Sequence, residues 1–272
     1  MTTMSDDQLP LDWPDETRNR HILTSMFLAI GVAPLVVLLH EYAHAVVQLV
    51  GGATSSTVSA MSAEESGELS PVMDGWAAAA GPLFSLLLGV VFWLLARRLR
   101  GAGFQIALWG YVASFQNMAG YLIITPMGVG DTAAVVEAWG WPAWAPFVML
   151  VIGVGGMFGI AALVAQDILA RFRTVRGLRM SVHWPVLWAS LVLIAIGAVL
   201  ALGSGYEIGI VIAMITSIMA MYVSALMSSM YLRKFPYQGL DKSVGTLPFA
   251  AVFAVVAVLI WVFHAVVGVT IG

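Results

Sequence analysis

The sequence predicts an all-α integral membrane protein that crosses the bilayer about seven times. Three observations carry that expectation. Sixty per cent of the 272 residues are hydrophobic and 10% are charged, too few charges to clothe a water-soluble domain of this length. Several apolar runs reach the ~20 residues that a helix needs to cross the hydrocarbon core. The basic residues fall in every second loop, as they do when they stay on one side of a membrane.

Residues 1–20, MTTMSDDQLPLDWPDETRNR, are polar, acidic and rich in turn formers. They lack the basic start and cleavage site of a signal peptide and read as a short, mostly disordered tail. The first span runs from about Ile22 to Val50 and ends at Gly51-Gly52. The second runs from about Gly75 to Ala96, with Gly81-Pro82 near its start, and the third from Phe104 to Ile124, before Pro126. The remaining four cover about Ala143–Leu169, Trp184–Leu202, Glu207–Leu232 and Leu247–Ile271. Two connections are long. Residues 53–74 are rich in Ser, Thr and acids, and their STVSAM stretch alternates as a short strand or hairpin would. Residues 125–142 hold a Gly-rich turn and then a short interfacial helix, with Trp139, Trp141 and Trp144 suited to the membrane–water boundary. The chain thus divides into a tail, 1–20, a membrane core, 21–142, and a further four-helix region, 143–272.

Arg18 and Arg20, then Arg97, Arg98 and Arg100, then Arg171, Arg173, Arg176 and Arg179, then Arg233, Lys234 and Lys242 all fall on one side of this seven-span arrangement. The positive-inside rule makes that side cytoplasmic, with the N-terminus inside, the C-terminus outside and the cell membrane as the expected location. The opposite loops carry acids: Glu64, Glu65, Glu68 and Asp74 in the first, Asp131 and Glu137 in the third. There is no cysteine, which excludes disulfides, thiolate nucleophiles and Cys-based metal sites.

The first span holds VAPLVVLLHEYAHAVVQLVGG, in which His40, Glu41 and His44 interrupt an apolar run. Ionisable groups are expensive there and need partners. On a helix His40 and His44 stand one turn apart on one face and can bind one zinc ion, while Glu41 beside them can take a proton from a water at the metal. A hydrogen-bonded polar knot or a proton path is the non-metal reading. A catalytic zinc usually has three protein ligands and one open position. The loop after the third span meets the loop after the first, so Asp131, following MGVG, is the choice for third ligand. Glu64, Glu65, Glu68 and Asp74 share that side, and Asp131 can equally cap the helix that follows it.

HEYAH in the first span, AAAAGPLFSLLLG in the second and NMAGYLIITPMGVGD after the third cover about the first half of the chain. Together and in this order they resemble the core of the site-2 protease family of intramembrane zinc metalloproteases. The resemblance implies that His40, His44 and Asp131 ligate zinc, that Glu41 is the base, and that Asn117 is a polar group near the substrate backbone. It makes 21–142 a metalloprotease-like core and the protein a zinc-dependent endopeptidase. Its partners would then be the lipid bilayer and a membrane-anchored protein substrate, not nucleic acid. There are departures. The family usually keeps Asn and Pro close together and follows Asp with Gly, whereas Asn117 and Pro126 are apart and Thr132 follows Asp131. Its well-known members open toward the cytoplasm, whereas the basic residues here put the site on the other side. The rivals are a non-catalytic zinc-binding scaffold and a transporter using the His/Glu cluster for an ion or proton; the absence of internal repeats counts against the latter.

The other polar residues read as structural. His21 and His183 are expected at the interface, His264 as a packed and hydrogen-bonded side chain, Gln116 as a bond between helices, and Asp167 with Arg171 as a pair one turn apart. Gly153, Gly155, Gly156 and Gly159 suggest close helix packing, and the methionines from Met214 to Met230 a core.

Overall fold

A computed structural model describes residues 15–169, 179–204, 208–231 and 246–272. Among them, eight helices run in chain order: α1 Asp15–Val50, α2 Pro71–Ala96, α3 Gly101–Ile124, α4 Asp131–Ala138, α5 Ala145–Leu169, α6 Trp184–Ser204, α7 Ile208–Met227 and α8 Leu247–Val267. A sheet of order β2-β1-β3 is built from β1 Ser55–Val58, β2 Ala63–Ser66 and β3 Val269–Ile271.

Five of the described helices, α1, α2, α5, α6 and α8, are long and apolar enough to cross a membrane. A sixth crossing is counted if α3 and α4, bent by 56° where the chain passes Pro126 and the Gly-rich turn, form one broken span. The fold is therefore of the helical membrane-protein class. The sixth segment read from the sequence corresponds to α7, about 30 Å long at 1.5 Å per residue, and adjoins residues outside the described set.

Two boundaries differ most from expectation. α1 begins at Asp15 rather than Ile22, so the end of the expected tail is helical. The alternating stretch after α1 does form a hairpin, β1 pairing antiparallel with β2 from Ser55↔Ser66 to Val58↔Ala63. The seventh segment stops at Val267. Gly268, at φ +68°, turns the chain, and Val269–Ile271 leave the helix to pair with β1 as a third strand.

α1 is the central element, packed against α2, α3, α6 and α8. Its Leu28, Val32 and Val36 meet Leu108, Trp109 and Val112 of α3 and Ala250 and Ala254 of α8 in one core. Outward-facing residues of α2, α5 and α8, such as Leu87, Val151, Ile152 and Leu259, are exposed and apolar, a surface suited to lipid.

α8 runs parallel to α1: Gly31 faces Phe253 and Ala254, and the Tyr42 hydroxyl is 3.0 Å from Nε2 of His264. Nδ1 of His264 donates to the Ile260 carbonyl at 2.8 Å, so Nε2 accepts from Tyr42. One turn earlier, the Trp261 indole donates to the Ala60 carbonyl at the hairpin tip, 3.0 Å away. Ala60 is fully buried; the hairpin thus dips back into the bundle rather than lying over it.

The other polar residues divide. Gln116 accepts a bond from Ser224 across α3 and α7, as expected. His21 is buried, not interfacial, because Ser181 at the head of α6 covers it at 2.9 Å. Gly153 touches the Ala119 carbonyl, whereas Gly155 and Gly159 have nothing close. Arg171, the expected partner of Asp167, lies outside the described residues.

Candidate metal centre

His40, Glu41 and His44 are 1%, 4% and 7% exposed, so their polar atoms depend on the protein for partners. His40 and His44 follow the helical spacing that the sequence indicates, and Nε2 of one lies 3.0 Å from Nε2 of the other. Oδ2 of Asp131 completes a small triangle, 2.8 Å from His40 Nε2 and 3.1 Å from His44 Nε2.

The far side of each imidazole is held. Nδ1 of His44 donates to the Ala77 carbonyl at 2.6 Å, and Nδ1 of His40 is 3.0 Å from the Ser85 hydroxyl. Asn117 donates to the same hydroxyl at 3.4 Å. Tyr121 stacks on His40, with ring planes 4° apart and centroids at 5.3 Å. Such outer contacts fix the tautomer and aim of a metal-binding histidine. α2 approaches this closely because of Gly81. A Cβ there would lie 2.2 Å from Nε2 of His44 and 2.6 Å from Nε2 of His40, so the imidazoles occupy the place of the missing side chain.

The loop carrying Asp131 is pinned to the end of α3. Thr125 and Thr132 hydroxyls both donate to the Tyr121 carbonyl at 2.8 Å. Thr132, the departure noted after Asp131, thus closes the bend. Gly130 takes φ +83°, and the Tyr121 ring fills the space where its Cβ would be. Gly130 also stands at the N-cap of α4. The carboxylate of Asp131, one residue on, reaches the imidazoles instead of capping the helix.

The rival acids stay apart. Glu65 accepts from Gln48 at 2.7 Å, Glu64 and Glu68 are exposed, and Asp74 sits in the first turn of α2. His40, His44 and Asp131 are, among the described residues, the group that can hold a metal ion.

Electrostatics supply the reason. With its Nδ1–H committed to Ala77, a neutral His44 turns the Nε2 lone pair toward the Asp131 carboxylate and toward His40. Lone pairs about 3 Å apart in a buried site repel unless a cation, proton or metal, lies among them.

The triangle opens on a cavity of about 570 Å³ whose polar lining includes Glu41, His44, Gln48, Asp74, Asn117 and Asp131. Gln48, one turn beyond His44 on the same face, clamps the hairpin. It donates to the Ala63 carbonyl at 3.0 Å and accepts from Ser56 at 2.6 Å. Sequence reading missed Ser85, Tyr121 and Gln48. Signals existed for two of them: Gln48 continues the four-residue spacing of His40 and His44, and Ser85 follows Gly81 by the same interval.

Fold and site together define a helical protein of the membrane-spanning class with a His-His-Asp group able to hold a metal ion, its histidines buried and its aspartate half-buried. Comparison with family models, curated proteins and solved structures finds no match.

Proposed function

We propose that this chain is an intramembrane zinc-dependent endopeptidase that hydrolyses a peptide bond of a membrane-anchored protein. The observation that supports it best is the triangle of His40, His44 and Asp131 beside Glu41, on the wall of a cavity inside a membrane-type bundle. Two imidazoles and a carboxylate suit zinc, and atoms held tetrahedrally at about 2.0–2.2 Å from zinc stand roughly 3.3–3.6 Å apart. The triangle is only a few tenths of an ångström tighter. The order of HEYAH, the Ala-Gly-Pro segment and the Asp131 loop, which resembles the site-2 protease core, points the same way. In this reading α1, α2 and α3 form a three-helix zinc core, and the bundle crosses the membrane seven times.

Bound zinc supplies Lewis acidity toward the scissile carbonyl and makes water a nucleophile near neutral pH. Glu41 accepts the proton of the attacking water and returns it to the leaving nitrogen, closing the proton balance of amide hydrolysis. Ser85 and Ala77 keep both Nε2 atoms turned inward. Asn117, on the cavity wall, bonds the backbone of a substrate segment that has unwound from its helix.

The test is zinc content and cleavage of a membrane-anchored peptide by the full-length protein, with and without chelator. Glu41→Gln keeps the size and removes the base. It should retain zinc and lose on the order of 10²-fold or more in rate. Parental cleavage by this variant sinks the mechanism, stoichiometric zinc without cleavage of any substrate turns the reading to a scaffold, and absence of zinc turns it to a transporter.

The positive-inside rule, applied to the basic clusters, favours a centre toward the extracytoplasmic face of the cell membrane. Ser66, on β2, and Leu99, between α2 and α3, are both exposed. In intact cells an impermeant thiol reagent should label Ser66→Cys and not Leu99→Cys; the reverse pattern refutes the orientation.

A further inference from the structure

The cavity does not stop at the metal residues. Along α1 it is lined from Gln48 through His44 and Glu41 down to Val37, Pro34 and Ala33, one face of the helix over about 22 Å. Facing this lower end are Leu193 of α6, Ile218 of α7 and Trp261 of α8. Contacts between helices set their depth. Ser181 lies beside Ser25, so Leu193, twelve residues up α6, comes level with Val37, twelve residues up α1. Ser190 donates to the Ile218 carbonyl, which brings α7 to the same height. Trp261 stands one turn before His264, the partner of Tyr42, and its indole is anchored on Ala60. The cavity therefore continues about one to two turns below Glu41 between apolar walls.

Asn117 is the polar residue of this depth: Trp109, two turns earlier on α3, bonds Ser25. Its nitrogen is engaged by Ser85 and its side chain lines the cavity. An apolar recess beside one amide suits an extended polypeptide, which offers a backbone polar group and a side chain at the same place. A hydrocarbon tail has no use for the amide.

We infer that the lower cavity is a subsite for one large apolar side chain, leucine- or phenylalanine-sized, of the residue next to the cleaved bond, and that Leu193, Ile218 and Trp261 set its size. The inference rests on the zinc reading of the site. It divides the labour within the bundle, since α1 to α4 supply the chemistry and α6 to α8 select the substrate.

The experiment uses the full-length protein in detergent, loaded with zinc, and a series of N-acetyl amino-acid hydroxamates. The hydroxamate group binds the metal in every member, and the side chain runs from glycine through alanine and leucine to phenylalanine. Affinity should rise along the series by about tenfold or more from glycine to phenylalanine, the gain that burying such a side chain gives. Leu193→Trp and, as a second variant, Ile218→Trp fill the recess. Each should abolish that gain while leaving zinc content and glycine hydroxamate affinity unchanged, which also certifies the fold. Equal affinity for all four probes in zinc-loaded protein, or a preference that survives both variants, overturns the subsite alone. A protein that takes up no zinc overturns the metal reading and the subsite with it.

Discussion

α1 carries two buried polar clusters, one near each end, and they are built on different logic. At the lower end His21 contacts the Ser181 hydroxyl and the Gln105 amide, Trp109 donates to Ser25, and Ser25 donates to the Ser181 carbonyl. Each of these bonds pairs a donor with an acceptor, although the Gln105 side-chain oxygen is left without a partner, and none of these residues lines the cavity. At the upper end two imidazole nitrogens and a carboxylate oxygen, all able to accept, converge within 3.1 Å beside open space. A buried histidine in an apolar helix therefore says little alone. What separates fastening from a site is whether its neighbours complete it or share its deficit of positive charge.

Substitutions can break this contrast, and the largest effect is expected at the upper cluster. His44→Ala and Asp131→Ala each remove a corner of the triangle. Zinc affinity should fall by more than about 100-fold, beyond the usual loss for an outer contact, as read by metal analysis of purified protein. Retained zinc in Asp131→Ala would pass the third position to Glu64, Glu65, Glu68 or Asp74. Ser85→Ala leaves the corners and frees the His40 ring. Here the affinity should drop about 10-fold or somewhat more, and an unchanged value would show that Tyr121 stacking alone aims the ring. The smallest effect on the metal is expected at the lower cluster. His21→Leu should leave zinc untouched and cost about 1–3 kcal/mol of stability, because Ser181 and Gln105 lose a partner. Thermal unfolding in detergent measures it, and zinc loss in this variant would collapse the distinction between the two ends.

The corners of the triangle were legible in the sequence for physical reasons. His40 and His44 stand out because ionisable groups are rare in apolar helices and their spacing fixes a common face. Asp131 was reachable because up-and-down connectivity puts alternate loops together. Its choice over capping depended on Gly130 taking the cap position, which only the three-dimensional turn reveals. Tyr121 was not legible and Ser85 showed only in its spacing from Gly81, since a serine or tyrosine in an apolar helix is ordinary and their contact with His40 depends on how three helices slide past one another. The hairpin was visible as alternation. β3 was not, because Val269–Ile271 extend an apolar run and only Gly268 hints at the break.

The third strand has a consequence for how the protein is made. Thr57 of β1 meets Thr270 of β3 across 213 residues of chain, so the hairpin stays two-stranded while everything between them is synthesised. At about 5–20 residues per second that interval lasts roughly 10–40 s. Throughout it the HEYAH helix is already made, but Trp261 has not reached Ala60 and the cavity lacks a wall. Until α8 is in place the nascent chain is thus expected to hold the His-His-Asp group beside a cavity that is still open on one side.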